Sequence, residues 1–160
     1  MSPLFDVAEL VRIGVEDEKT GVAFYSALAA KTARPRLREM YRGLAEQERH
    51  HQKRFEQMLQ NLGGYQPTES YPGEYIAYLR AMLDSRAFPD EAAGRRVASE
   101  CRSDADALAL AIRFERDTLV LLNELRGLVP AADRPIVDEL TREEQSHLVE
   151  LTRAQELLGQ

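Results

Sequence analysis

Apolar residues recur at spacings of three and four along most of the chain, and no stretch alternates apolar with polar residues as a strand would, so the pattern predicts an all-α protein. Leu37, Tyr41, Leu44, Glu48, His51, Phe55, Met58 and Leu62 fall on one stripe. Val137, Leu140, Glu144, His147, Leu151, Ala154 and Leu158 repeat that spacing near the end of the chain. Val7, Val11, Gly14, Glu18, Gly21, Tyr25 and Leu28 do so near its start, and Leu108, Ile112, Glu115, Leu119, Leu122 and Leu125 follow less strictly. Such stripes suit the seams of a helical bundle.

Punctuation brackets four long helices at about 6–32, 35–62, 103–127 and 133–158. Asp6 followed by Glu9 reads as an N-cap, Arg34-Pro35 as a turn, and Gly63-Gly64 as a stop. Ser103 with Asp106 opens the third helix, Gly127 ahead of Pro130 closes it, and the stretch from Asp133 to Pro135 opens the fourth. The connection over 63–102 is too long for a hairpin between antiparallel neighbours. Within it, Glu74 to Leu83 reads as a short amphipathic helix, and Pro89-Asp90-Glu91 as the start of another. Residues 1–160 are therefore expected to form a single domain of two helical hairpins joined by a long crossover, the topology of a ferritin-like four-helix bundle.

Each stripe is interrupted at its middle by Glu, or by Glu and His. Glu18 and Glu48 are 30 residues apart, and Glu115 and Glu144 are 29 apart. Glu18 and Glu115 are separated by 97 residues, whereas Glu48 and Glu144, like His51 and His147, are separated by 96. The chain thus holds two similar halves, each offering one Glu and then Glu-x-x-His. At about 1.5 Å per residue, the paired carboxylates of each hairpin return to one level, roughly 20–25 Å from its turn. Residues three apart share a helix face, so each Glu-x-x-His points inward as a pair.

Four Glu and two His meeting at mid-bundle form the donor set of a two-metal carboxylate site. An unpartnered buried carboxylate costs several kcal/mol, and no Lys or Arg lies on these stripes to neutralise it. Two divalent cations would balance four carboxylates. Oxygen and imidazole donors suit iron, with manganese or a mixed pair as alternatives, whereas a single zinc would want four ligands. His50 is off the stripe and reads as a surface residue.

Composition narrows the setting. Of 160 residues, 21 are Lys or Arg and 27 are Asp or Glu, a net charge of −6 that argues against nucleic-acid binding. No apolar run approaches the length of a membrane span, and the N-terminus lacks a signal-peptide pattern, so a soluble, cytoplasmic protein is expected. The single cysteine, Cys101, excludes a disulfide framework and any C-x-x-C knuckle within the chain. It is expected to be a small, mostly buried residue.

The segments Glu18-Lys19-Thr20-Gly21-Val22-Ala23-Phe24-Tyr25, Ala45-Glu46-Gln47-Glu48-Arg49-His50-His51 and Glu144-Gln145-Ser146-His147 resemble the first-, second- and fourth-helix motifs of rubrerythrins and ferritin-like di-iron proteins. The resemblance implies two iron ions at Glu18, Glu48, His51, Glu115, Glu144 and His147, and redox chemistry on oxygen or peroxide. Rubrerythrins proper carry an additional rubredoxin domain; with one cysteine, this chain is expected to rely on a separate electron-donor protein. They also place an extra carboxylate one turn beyond the third-helix ligand, where this chain has Thr118, which speaks against the redox-linked shift of an iron. Tyr25, seven residues after Glu18 on the same helix face, is a candidate to hydrogen-bond a carboxylate ligand, and its counterpart in the second half is Leu122.

The resulting expectation is a di-iron oxidoreductase acting as a homodimer or larger homo-oligomer. Ferroxidation with iron storage or delivery, di-iron hydroxylation, and a metal-free interaction module are the alternatives. Tyr71, Tyr75 and Tyr78 suggest an aromatic patch at a bundle face or subunit contact. Arg34, Arg36, Arg38, Glu143 and Glu150 read as solvated helix faces.

Overall fold

The computed structural model describes residues 7–65 and 73–159. Six helices run in the order α1 (Val7–Lys31), α2 (Pro35–Leu62), α3 (Gly73–Asp84), α4 (Glu91–Glu100), α5 (Asp104–Leu128) and α6 (Arg134–Leu158), with no strand among the described residues. Their ends follow local chemistry. Pro35 occupies the first turn of α2, where a missing N–H costs nothing, and Gly63 closes the helix in the left-handed conformation at φ 48°. The Ser103 hydroxyl accepts from the Asp106 N–H (3.1 Å), and the Asp90 carboxylate accepts from the Ala93 N–H (2.8 Å). Asp6, expected to cap α1, lies outside the described residues, as does Tyr71.

One boundary departs from the sequence reading by a residue. Gly127 does not end α5: the helix continues to Leu128 and closes where the Val129 N–H bonds to the Leu125 carbonyl. Pro130 is the physical stop, because it drives the preceding Val129 into extended backbone. Asp133 occupies the N-cap position of α6 without capping it; its carboxylate instead accepts from Asn61 Nδ2 at 3.3 Å.

Contacts between helix ends set the topology. The Thr32 hydroxyl donates to Asp104 (2.9 Å) and Arg34 pairs with the same carboxylate (3.2 Å), so the α1–α2 turn sits beside the start of α5. The Asn61–Asp133 bond sets the end of α2 beside the α5–α6 turn. Helix α1 is therefore antiparallel to α2 and α5, and α6 is antiparallel to the same two. These four neighbouring pairs form the bundle, while α4 packs on the outer side of α1. The crossover must climb the length of the bundle to join the ends, which is why it holds two short helices. This is a ferritin-like arrangement.

The buried face of α2 contains every residue of its expected stripe, with Ala45 added. Helix α1 buries a wider face, because Ala93, Gly94 and Ala98 of α4 cover its far side. In α5, the inward line runs through Leu108, Ala111, Glu115, Thr118, Leu122 and Leu125, while Ile112 and Leu119 are only half-buried. That corrects the expected stripe. Spacings of three and four are satisfied by both lines, and the correct one places small Ala111 and polar Thr118 inside. The Thr118 hydroxyl is satisfied by the Phe114 carbonyl at 3.3 Å.

Two apolar clusters fill the bundle. One, around Phe24, Tyr25, Tyr41, Leu44, Leu108 and Phe114, lies toward the α1–α2 turn. The other, around Leu10, Val11, Phe55, Met58, Leu122 and Leu140, lies toward the α5–α6 turn. Helix α3 buries only Leu79 fully, and Tyr75 and Tyr78 tie it to α5 through hydrogen bonds to Glu124 (2.6 and 3.2 Å). Tyr75 and Tyr78 thus latch a helix within the chain. Cys101 is buried as expected.

Close approach of α1 to α2 depends on Gly14, where a Cβ would lie 2.5 Å from the Phe55 ring. Gly14→Val is expected to lower stability by about 1–3 kcal/mol, because overpacking exceeds the small gain in helix propensity. Urea denaturation of the metal-free protein, read as a shift in midpoint, measures it.

Candidate metal centre

Glu18, Glu48, Glu115 and Glu144, one from each long helix, converge between the two apolar clusters together with His51 and His147. All six are buried to within about one per cent of full burial. Helical periodicity dictates the convergence: each lies on the inward stripe at the level where its hairpin returns. Donor atoms of Glu48, His51, Glu144 and His147 all lie within 4.8 Å of one another.

The carboxylates divide between the histidines in a regular way. His51 Nδ1 lies 2.7 Å from Glu144 Oε1 and 3.8 Å from Glu48 Oε2. His147 Nδ1 lies 2.9 Å from Glu144 Oε2 and 3.4 Å from Glu48 Oε1. Glu48 and Glu144 therefore present one oxygen to each histidine. Glu18 stands beside His51 (3.6 Å), and Glu115 stands beside His147 (3.6 Å). The donors form two matching half-sites that share two carboxylates, and the imidazole rings stack 5.3 Å apart.

The outer nitrogen of each ring is held from the opposite hairpin. His51 Nε2 donates to Glu143 Oε2 (2.7 Å) on α6, and His147 Nε2 donates to Gln47 Oε1 (2.8 Å) on α2. With Nε2 protonated, a neutral ring turns its Nδ1 lone pair inward, the tautomer a metal ligand requires. Both oxygens of Glu18 and Glu144, one each of Glu48 and Glu115, and both Nδ1 atoms have no hydrogen-bond partner despite complete burial. Buried polar atoms are normally satisfied, so this concentration of orphaned acceptors fits cations and is hard to reconcile with a purely structural core.

A family model described as Rubrerythrin matches residues 9–89, just over half of the chain. The chain belongs to the rubrerythrin family. Among solved structures, this rubrerythrin-family chain is similar to a Thermotoga maritima protein proposed to be a ferritin-like diiron-carboxylate protein. They share 23% identity with a TM-score of 0.69, and the match covers 95% of each chain, which supports the ferritin-like fold. Comparison with curated proteins gave no match. Among the described residues, no helix is long and apolar enough to cross a membrane.

Charge is distributed unevenly over the six groups. Burial, reinforced by Glu48, pushes the Glu18 carboxyl well above its ordinary value, and burial with Glu144 and Glu48 does the same to Glu115. In Glu48 and Glu144 burial also acts upward, but the neighbouring imidazoles and carboxyls, His51 and His147 with Glu18 or Glu115, prevail and hold both carboxylates low. Burial alone would lower the histidines, yet the surrounding carboxylates raise His51 far above its ordinary value and push His147 up to about 12. Tyr25 donates its hydroxyl to Glu115 rather than to Glu18 on its own helix; burial and that carboxylate keep the phenol protonated. Leu122, its counterpart in the second half, packs in the other apolar cluster.

Gln47 and Glu143 were missed in the sequence, and Glu143 is not a free solvated residue: it bonds both His51 and Arg54 (3.3 Å). A signal existed. They are 96 residues apart, so the internal repeat that aligns Glu48 with Glu144 also aligns them. Asp17, next to Glu18, was missed too. It is buried against Arg86 of the crossover, and burial raises its carboxyl to about 6 despite that partner. His50 is exposed, as its register implies.

The elevated histidines predict how metal loading depends on pH. Without a cation, protons sit on Nδ1 of His51 and His147 at neutral pH, so divalent metal must displace them. Loading is therefore expected to release protons, and metal affinity to fall as pH is lowered. Indicator-dye absorbance during anaerobic Fe²⁺ addition in weak buffer measures the release; no acidification would contradict it.

Proposed function

We propose that Glu18, Glu48, His51, Glu115, Glu144 and His147 hold two iron ions, and that the protein is an oxidoreductase reducing peroxide or oxygen with electrons from a separate donor protein. The observation that carries this reading is the division of oxygens, in which Glu48 and Glu144 each offer one atom to either half-site. Glu18 and His51 would complete one ion's shell, and Glu115 and His147 the other's. Four −1 carboxylates neutralise two +2 ions, which removes the cost of burying either set alone.

When bound, an iron pair supplies two electrons at adjacent centres, the number needed to cleave a peroxide O–O bond. The chain's own residues prepare that chemistry. The apolar clusters on either side keep bulk water from the carboxylates. Glu143 and Gln47 fix the two imidazoles in the ligating tautomer. The Tyr25 hydroxyl keeps a proton against Glu115, where it orients the carboxylate. These 160 residues hold one cysteine and no C-x-x-C pair.

Expression in iron-replete medium is expected to yield about two iron ions per chain. Glu48→Ala removes a carboxylate shared by both half-sites, and His147→Ala removes a nitrogen from one; both should lower metal content to one ion or fewer. Elemental analysis reads the result, and retention of two ions in both variants would refute the ligand assignment. Manganese in place of iron would correct the metal. Mixing the ferrous protein with peroxide in a stopped-flow cell should oxidise it rapidly; a persistent ferrous state would remove the proposed activity.

A further inference from the structure

The internal repeat makes the two half-sites alike in their ligands and unlike in what holds those ligands. His51 is held by a carboxylate, Glu143, and His147 by a neutral amide, Gln47. Arg54 does not cancel the charge beside His51, because the one guanidinium is shared between Glu143 and Glu139 at 3.3 Å each. A carboxylate accepting from Nε2–H draws the proton toward itself and makes Nδ1 the more basic donor. Glu18 has both oxygens without a hydrogen-bond partner, whereas Glu115 has one engaged by the Tyr25 hydroxyl. A carboxylate that accepts a hydrogen bond from a phenol has less charge to offer a cation. Both differences favour the same half-site.

We infer that the two metal positions are inequivalent: the Glu18/His51 position binds a divalent cation tightly, and the Glu115/His147 position is the weaker, exchangeable one, with Glu143 and Gln47 as the positioning residues that set the difference. The inference rests on the two-ion reading above. It assigns the chain a resident ion and an exchanging ion. Neither positioning residue is fully buried, Glu143 being 43% exposed and Gln47 lying at the surface, so each can be changed without disturbing the packed interior.

Anaerobic titration of the metal-free protein with Co²⁺, followed by its visible d–d absorption, tests this. The unmodified chain should take up two ions in separate steps. Glu143→Gln keeps the shape of the side chain and removes its charge; it should weaken the first step by about 10–100-fold and leave the second nearly unchanged. Gln47→Glu should strengthen the second step, drawing the two together. In the unmodified background, Glu115→Ala should remove the weak step and Glu18→Ala the tight one. Two ions bound with a single affinity, or an unchanged first step in Glu143→Gln, would overturn the inference while leaving the two-ion reading intact. Uptake of fewer than two ions by the unmodified chain would overturn that reading and the inference with it.

Discussion

Four carboxylates buried in an apolar interior are the constraint to which the rest of the structure answers. Each ionised carboxylate taken out of water costs several kcal/mol, comparable in sum to the roughly 5–15 kcal/mol by which a domain of this size is stable. Two histidines within the cluster offset part of that cost by holding protons, and two of the carboxyls, Glu18 and Glu115, are driven toward the neutral form. The interior thus holds its acidic groups partly neutralised by protons.

The scaffold concentrates its rigidity around that centre. Apolar clusters above and below the carboxylates close the bundle, and glycines on α1 allow neighbouring elements to approach closely. A Cβ at Gly21 would meet the Phe114 ring at 3.0 Å and Glu48 Cγ at 3.1 Å, so the side chain that both half-sites share is seated against bare backbone. The crossover adds constraint from outside. Arg86 reaches Asp17 beside Glu18, Asp117 of α5 accepts from the Ala87 N–H (2.7 Å), and α4 covers the outer face of α1. The connection that topology requires therefore also braces the helix that supplies Glu18.

Repetition and its breakdown both carry meaning here. The residue preceding the Glu of each Glu-x-x-His crosses to the histidine of the opposite hairpin, so each hairpin orients the other's imidazole. The Glu and Glu-x-x-His residues are preserved between the halves, but Gln47 against Glu143, Tyr25 against Leu122 and Gly21 against Thr118 are not. Thr118 is buried one turn beyond Glu115 with its hydroxyl committed to the Phe114 carbonyl, so a neutral, satisfied group fills that position.

Helix type, number and approximate limits were legible in the chain because periodicity, proline and glycine act locally, and the level of the six donor residues followed from counting residues along each hairpin. The stripe on α2 could be read without error because its inward and outward faces differ sharply in polarity. On α5 two stripes satisfied the same spacing, and only packing against α1 and α6 selected Thr118 over Leu119. Which side chain meets which across the bundle was likewise invisible: the Tyr25–Glu115, Glu143–His51 and Asp17–Arg86 contacts join residues 90, 92 and 69 positions apart. Local sequence determines the conformation of each helix and the face it buries. Helix rotation and axial offset are settled jointly by all the neighbours a helix touches, so those pairings exist only in the assembled bundle.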